Sequence, residues 1–309
     1  MNIEYSIVIP AYHAEASIEK LYDAIKTYFA SIEKTFEVVF VDDASGDSTW
    51  KILQQLKQNN KNVKIIRFAK NFGQHAATLC GFSFAKGKFV ITMDDDMEIH
   101  PDQISKLIGE QQKGNQDVVY GEYKKLNQPF FRGIFTKFYK FGSKMVEGKN
   151  KGKGSPFRLI KTELAQKLAE THRHFVFIDE LLLWYTSNIA FINVNANPNY
   201  VRKGGYSLGN LFKITSNVVM FSSASPLKLV TNLGISLATI NFLIGSFYLL
   251  KKTLFRTPVP GYTSIIVSLL FSTGLIVLSI GIVAQYIGKI LQDVNKKPSY
   301  HISEKFADD

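Results

Sequence analysis

The 309-residue sequence predicts an α/β domain with a mostly parallel sheet, followed by two membrane helices. Short, continuous apolar segments alternate with amphipathic stretches over the first 122 residues. Continuous apolar strands are typical of a sheet covered on both faces, and strand-helix alternation favours parallel pairing. Two long stretches without any charged residue then fall in the last 81 residues. These observations together predict an α/β domain joined to a membrane segment.

The apolar runs and their flanking signals give the order of the elements. Five strands are predicted at residues 5–12, 36–43, 62–69, 88–96 and 117–123. Helices are predicted between them at residues 17–29, 49–59, 74–85 and 101–113, with Ser48 as an N-cap. No G-x-G-x-x-G follows the first strand, which argues against a dinucleotide-binding site of that type.

The uncharged stretches predict transmembrane helices near residues 229–250 and 263–287. Lys228 and Lys251 enclose 22 uncharged residues, while Arg256 and Lys289 enclose 32. About 20 apolar residues in a helix span a bilayer core. Basic residues flank both sides of the pair, so the positive-inside rule leaves its orientation open, and a hairpin that does not fully cross also remains open.

The domain organisation follows from these boundaries. We expect a catalytic domain over residues 1–205, with a first half at 1–122 and a second at 123–205. An amphipathic interfacial region should follow at 206–228, then the membrane helices within 229–288 and a tail at 289–309. The N-terminus has neither a basic region nor a long apolar run, so it does not predict a signal peptide.

Charge is distributed unevenly along the chain. Residues 1–122 carry 13 basic and 17 acidic side chains, whereas residues 123–228 carry 17 and 5. The total of +11 indicates an anionic partner, either nucleic acid, anionic lipid or a phosphorylated substrate. The single cysteine, Cys80, excludes an intrachain disulfide and a zinc site built from cysteines.

Acidic residues concentrate where two predicted strands end. Asp42 and Asp43 close the second strand, and Asp94, Asp95 and Asp96 close the fourth, with Glu98 just after. Ligands of open α/β sheets bind beyond the carboxyl ends of the strands. In an extended chain Asp94 and Asp96 would point the same way and could hold Mg²⁺ or Mn²⁺. The alternative is a solvated acidic turn.

Two further segments could meet phosphate groups. Gly73 in NFGQHAA permits a tight turn before a helix N-terminus that could face an anion, while His75 there is ambiguous. Arg202, Lys203 and Lys213 precede the membrane region near a glycine turn and suit a phosphate. Attraction to lipid headgroups would explain the same basic residues.

Four segments taken together resemble a known family. They are SIVIPAYHAEASI, VDDASGDST, KNFGQHAATLCGF and ITMDDDMEIHPDQI, in this order. They resemble glycosyltransferase family 2, and more narrowly its polyprenyl-phosphate glycosyltransferases. These include undecaprenyl-phosphate aminoarabinose transferase, bactoprenol glucosyltransferase and dolichyl-phosphate mannose synthase. The resemblance extends over essentially the whole chain and implies the Rossmann-like, type A glycosyltransferase fold.

The resemblance implies roles on the donor side. Asp42 matches the acid that holds the nucleotide base or ribose, and Asp94 and Asp96 match the metal-binding D-x-D that grips the donor diphosphate. Glu98, a third metal ligand by this likeness, stands where the family usually has glutamine. Further nucleotide-sugar contacts implied by position are Pro10, Tyr12, Asp43, Asn71, Gly73, Gln74 and Asp95.

The resemblance also implies an acceptor side. Arg158 and Arg202 match arginines with catalytic roles that hold the acceptor phosphate, with Lys203 and Ser207 beside them. The chain departs from the family twice here. The element after Arg202 is shortened to KGGYSL, and Pro156 replaces the aspartate before Phe157.

The implied reaction is a metal-dependent, inverting transfer of a sugar from a nucleotide-sugar, UDP-linked by this likeness, to undecaprenyl or another polyprenyl phosphate. It would occur on the cytoplasmic face of the inner membrane, with membrane lipids as further partners and homo-oligomerisation left open. A processive polysaccharide synthase is disfavoured because Q-x-x-R-W is missing. A non-catalytic nucleotide-binding scaffold stays as an alternative, and the acidic first half argues against nucleic-acid binding.

Overall fold

The computed structural model describes residues 3–122, 155–170, 178–197, 261–294 and 298–307, with five single helical positions between 236 and 247. The described residues fall into two compact units, one built on a sheet and one containing the last long helix. Arg202, Lys203, Lys213 and Ser207 lie outside the described residues, as do the predicted interfacial region and most of the first predicted membrane helix.

The sheet-containing unit follows the predicted alternation of strands and helices. Its strands are β1 (Tyr5–Ala11), β2 (Phe36–Asp42), β3 (Val63–Phe68), β4 (Phe89–Thr92), β5 (Val118–Glu122), β6 (Arg158–Lys161), β7 (Ile189–Asn193) and β8 (Ile302–Phe306). Its helices are α1 (Ile18–Ser31), α2 (Thr49–Asn59), α3 (Gln74–Phe84), α4 (Ile104–Gly114), α5 (Thr162–Ala169) and α6 (Ile178–Tyr185), and a 3₁₀ turn at Pro101–Gln103 precedes α4.

The eight strands form one mixed sheet in the order β7-β5-β6-β4-β1-β2-β3-β8. The central strands β4, β1, β2 and β3 run parallel, as predicted. β6 lies antiparallel between β4 and β5, and β8 pairs antiparallel with β3. The mostly parallel sheet is therefore confirmed, with two antiparallel strands that the alternation pattern did not reveal.

Apolar side chains cover both faces of this sheet. Ile7 and Ile9 of β1 join one buried cluster with α1 and α4, whereas Val8 joins the other with α3 and α6. Neighbouring residues of a strand point to opposite faces, so a strand apolar at every position needs a layer on each side. The continuous apolar runs in the sequence have this structural cause.

Two predicted boundaries differ from the structure. The fourth strand was expected to reach residue 96, but β4 ends at Thr92 and the backbone turns at Asp95 and Asp96. The extended geometry expected for Asp94 and Asp96 is therefore wrong. Adjacent carboxylates repel one another electrostatically, which disfavours a continued strand. In addition, Asp96 caps a local turn by accepting the Glu98 N–H at 2.9 Å. Residues 289–309 were expected to be a tail, yet 302–306 form strand β8.

The other unit contains one long apolar helix, α7 (Tyr262–Val294). Its 33 residues give a length of about 50 Å at 1.5 Å per residue. Within it Phe271–Gly288 is long and apolar enough to span a membrane, and none of that stretch is buried. Among the described residues this is the one such helix, so the second predicted span is supported while the two-helix hairpin is not confirmed.

Candidate active site

The carboxyl ends of three neighbouring strands bring the predicted acidic residues to one edge of the sheet. β1 pairs with β2 so that Ala11 lies opposite Asp42, and with β4 so that Val8 lies opposite Thr92. Pro10 is buried within β1, and Tyr12 follows its end with a half-exposed ring. The segments that carry Tyr12, Asp42 and Asp94 therefore emerge side by side, as the strand order predicts.

The acidic loop, residues 94–98, forms one wall of a cleft beyond β4. The Tyr12 N–H donates to Asp95 Oδ2 at 3.0 Å, which ties this loop to the end of β1. Burial raises the pKa of Asp94 to about 7, helped by Asp96 and Asp95, while the Arg158 charge opposes the shift. Burial also raises the pKa of Asp95 to about 6. The cleft is lined by Met93, Asp94, Asp96, Glu98, Ile99, Pro156 and Phe157.

These carboxylates fit a divalent cation only in part. Across the described segments, no three His, Cys, Asp or Glu side chains converge on one point as a complete ligand set. Mg²⁺ and Mn²⁺ commonly bind through one or two carboxylates together with water and substrate phosphates. Asp94 and Asp96 on the wall of one cleft, destabilised by mutual repulsion, fit that arrangement, and Glu98 lies on the same wall.

The loop after β3 is held by two side chains, one of which reaches the acidic loop. The buried Asp43 carboxylate accepts the Phe72 N–H at 2.7 Å and the Gly73 N–H at 2.8 Å. Gly73 has φ +94°, which L side chains rarely adopt. Helix α3 begins directly after it, and Gln74 Nε2 donates to Asp94 Oδ1 at 2.5 Å. Asp43, which the sequence predicts to contact the nucleotide-sugar, therefore uses both carboxylate oxygens to hold this loop.

The remaining predicted residues of this loop differ in exposure. Asn71 is exposed, whereas His75, in the first turn of α3, is partly buried. Burial lowers the pKa of His75 to about 4, and the positive charge of Arg158 lowers it further, while Asp179 opposes this. His75 is thus a neutral imidazole at pH 7, which fits a structural role.

Asp42 is fully buried, and its two carboxylate oxygens have different partners. Its Oδ1 accepts the Ser45 N–H at 3.0 Å. Its Oδ2 is buried without a hydrogen bond in the described structure and lies 3.3 Å from Arg67 Nε. Burial raises the pKa of Asp42, an effect that its bonds to Ser45 and the charge of Arg67 oppose. The charge of Arg67 therefore compensates the buried Oδ2, which lacks a hydrogen bond.

Arg158 is buried beneath the acidic loop, at the start of β6. Its Nε donates to Thr92 Oγ1 at 3.1 Å, and its Nη1 pairs with Asp179. The Tyr120 hydroxyl donates to the same Asp179 oxygen at 3.0 Å, and the Tyr120 ring lies 5.8 Å from the guanidinium carbon. Sequence reasoning did not identify Asp179 or Tyr120, because only the fold brings α6, β5 and β6 together.

Comparisons with known proteins agree with this architecture. The sequence profile of glycosyl transferase family 2 matches residues 6–174, more than half of the chain. A protein of Synechocystis sp. named as uncharacterized glycosyltransferase sll0501 is 29% identical over 306 residues, which cover 98% of this chain and 96% of that protein. The SfII prophage-derived bactoprenol glucosyl transferase of Shigella flexneri is 28% identical over 307 residues and covers 98% of each chain.

One solved structure confirms the fold. Glucosyl-3-phosphoglycerate synthase from Mycobacterium tuberculosis, in complex with Mn²⁺, uridine-diphosphate-glucose and phosphoglyceric acid, superimposes with a TM-score of 0.50 at 18% identity. The match covers 71% of this chain and 78% of that one. With the mixed sheet, the acidic loop at its carboxyl edge and the family profile, the chain is a glycosyltransferase and belongs to glycosyl transferase family 2.

Proposed function

We propose that the protein transfers a sugar from a nucleotide-sugar, UDP-linked, to a polyprenyl phosphate such as undecaprenyl phosphate, with inversion at the anomeric carbon. This proposal rests on the acidic residues at the edge of the sheet where β1, β2 and β4 end. There the buried Asp42 carboxylate and the acidic loop lie at one edge of the sheet, and repulsion by Asp96 and Asp95 adds to the effect of burial in raising the pKa of Asp94. The full-length likeness to a bactoprenol glucosyl transferase supports a lipid phosphate as the acceptor.

The donor would be held by the residues at this edge. The Asp42 carboxylate would accept a hydrogen bond from a base N–H or a ribose hydroxyl. Asp94 and Asp96, with Glu98 on the same wall, would hold Mg²⁺ or Mn²⁺ together with the donor diphosphate. A divalent cation there supplies positive charge that offsets the negative charge of the leaving nucleotide diphosphate. Gln74 orients the Asp94 carboxylate for this task.

The acceptor would need little help to react. A phosphate monoester is already anionic at pH 7, so its oxygen can attack without a strong general base. Arg158 is buried and paired with Thr92 and Asp179. We therefore expect its positive charge to stabilise the Asp94 carboxylate, and we do not expect Arg158 to bind the acceptor phosphate by itself. Arg202, Lys203 and Ser207, with the strongly basic segment 123–228, remain our candidates for holding that phosphate.

The topology of the sheet supports a membrane hairpin. β7 ends at Asn193 and β8 begins at Ile302, and both are strands of one sheet. A chain that leaves and rejoins one sheet must cross a bilayer an even number of times. With α7 as one crossing, we propose that the second is the span predicted from the sequence at residues 229–250. We therefore propose a multi-pass inner-membrane protein with its catalytic domain in the cytoplasm.

Transfer can be tested directly with the full-length protein in nanodiscs. Undecaprenyl phosphate, Mn²⁺ and a panel of labelled UDP- and GDP-sugars should yield a labelled glycolipid. Asp94→Asn should lower the rate at least 100-fold, whereas Asp102→Asn, an exposed acid outside the cleft, should leave it unchanged. Nucleotide binding without turnover across the panel would point to the scaffold instead. A glycolipid formed equally well by Asp94→Asn would refute the assigned site.

Membrane topology has a separate test. Cys80 is buried, so cysteines introduced at Thr257 and Asp309 can be labelled selectively by a membrane-impermeant maleimide. In inverted inner-membrane vesicles, Asp309→Cys should react without detergent and Thr257→Cys only with it. Labelling of both positions from the same side would contradict a hairpin that crosses fully.

A further inference from the structure

One arginine, Arg67, connects strand β8 to the residues that we assign to the nucleotide-sugar donor. β8 pairs antiparallel with β3, so that Glu304 lies directly opposite Arg67. Arg67 Nη1 lies 3.7 Å from Glu304 Oε1, and Arg67 Nε lies 3.3 Å from Asp42 Oδ2. One guanidinium therefore bridges a carboxylate of the last strand and the buried carboxylate assigned to the donor nucleotide.

Further contacts fix the orientation of the Arg67 guanidinium. Its Nη2 donates to the Ser45 carbonyl at 3.3 Å, and its guanidinium carbon lies 5.5 Å from the centre of the Trp50 ring. The planar guanidinium offers donors in a fixed fork, so anchoring several nitrogens fixes the direction of the others. Glu304, Ser45 and Trp50 thus determine how Nε faces Asp42.

β8 also contributes to the surroundings of this arginine. The Phe306 ring lies 6.3 Å from the ring of Trp50, and Ser303 Oγ donates to the Arg67 carbonyl at 3.1 Å. Preceding the strand, Tyr300 stacks on Phe68 at 5.1 Å. These contacts fix the register that places Glu304, and no neighbouring residue, opposite Arg67.

We propose that Glu304 is a positioning residue for donor binding, which holds Arg67 against Asp42 and so fixes the orientation of the Asp42 carboxylate that the nucleotide would contact. This inference rests on the proposed function, because Asp42 is assigned to the donor there. Glu304 is partly exposed and its pair is not tight, so its influence should be modest. A cross-strand pair of opposite charges is worth roughly 0.2–1 kcal/mol, or about a 1.4- to fivefold change in affinity.

The test compares full-length variants by calorimetric titration with UDP and Mn²⁺ and by steady-state kinetics. Glu304→Gln should raise the Kd for UDP and the donor KM about two- to fivefold, with kcat and the acceptor KM unchanged. Glu163→Gln, an exposed carboxylate on α5, serves as the matched control and should change neither. Thermal unfolding of each variant separates this effect from lost stability.

A double-mutant cycle identifies the route through Arg67. Lysine at position 67 keeps the charge but lacks the fork, so Glu304→Gln should have no additional effect in the Arg67→Lys background. An unchanged effect in that background would overturn the proposal, as would a Glu304→Gln variant that is less stable yet binds UDP normally.

Failure of the proposed function gives a different result. If the wild type binds neither UDP nor GDP, or Asp42→Asn binds as well as the wild type, the donor assignment of Asp42 is refuted and this inference with it. If Asp42→Asn weakens binding while Glu304→Gln does not, only the positioning role of Glu304 is refuted.

Discussion

Replacing Asp43 by asparagine isolates the carboxylate that ties the end of β2 to the loop before α3. Both of its oxygens accept backbone N–H groups, from Phe72 at 2.7 Å and Gly73 at 2.8 Å, and the side chain is buried. Asparagine keeps the shape and one acceptor oxygen. Its NH₂ group would face an N–H donor, so one hydrogen bond is lost and a buried donor is left without a partner.

The expected loss of stability can be worked from these contacts. A hydrogen bond to a charged group contributes about 1.5–3 kcal/mol, and an unsatisfied buried donor costs about 1–3 kcal/mol. Burial raises the pKa of Asp43, so the ionised side chain already carries a desolvation cost that asparagine avoids. A net loss of about 2 kcal/mol remains, which for a domain of this size lowers Tm by roughly 4–8 °C.

Thermal unfolding of the purified full-length protein measures this loss. Asp23→Asn changes an exposed aspartate on α1 in the same way and should leave Tm within about 1 °C of the wild type, since surface substitutions have small effects. Asp43→Asn should also raise the donor KM, because the loop it holds carries Gln74 to Asp94. A Tm of Asp43→Asn equal to that of the Asp23→Asn control would refute the reasoning.

Three further substitutions test the packing of the sheet, each by thermal unfolding. Lys64→Met leaves the buried Glu37 without the Nζ that lies 2.7 Å away and should cost about 3–5 kcal/mol; a loss below 1 kcal/mol would contradict a buried ion pair. Gly81→Ala places a Cβ 2.3 Å from a Val8 methyl and should cost about 1–3 kcal/mol, and an unchanged Tm would argue against this close packing. Gly109→Ala, in the middle of α4 with open space around it, should instead stabilise by about 0.5–1 kcal/mol; destabilisation would contradict that environment.

Much of the sheet could be predicted because its signals are local. β1 was predicted over residues 5–12 and observed as Tyr5–Ala11, since its apolar run ends where the buried edge ends. The acidic loop was predicted at the correct edge for a related reason, because carboxylates that follow an apolar strand must lie beyond its end. Its backbone geometry was predicted incorrectly, since repulsion and the local cap of Asp96 act only after β4 has ended.

The features that the sequence did not reveal depend on distant partners. β8 has the sequence ISEKF, with two charged residues and four exposed positions, and no pattern in it predicts a strand. It forms because β3 offers an open edge and Arg67 a partner for Glu304. Likewise, sequence alone could not show that Asp43 accepts backbone N–H groups about 30 residues away, while Asp42 beside it pairs with Arg67.

The pairing of β3 with β8 also sets an order of events during synthesis. Ser303 and Arg67, joined by a hydrogen bond, are 236 residues apart in sequence, and the candidate membrane helix α7 is made between them. Until residues 302–306 have been made, β3 is an unpaired sheet edge, a surface that favours incorrect pairing. A protein truncated before Ile302 should therefore aggregate during expression even though its family profile, residues 6–174, is intact.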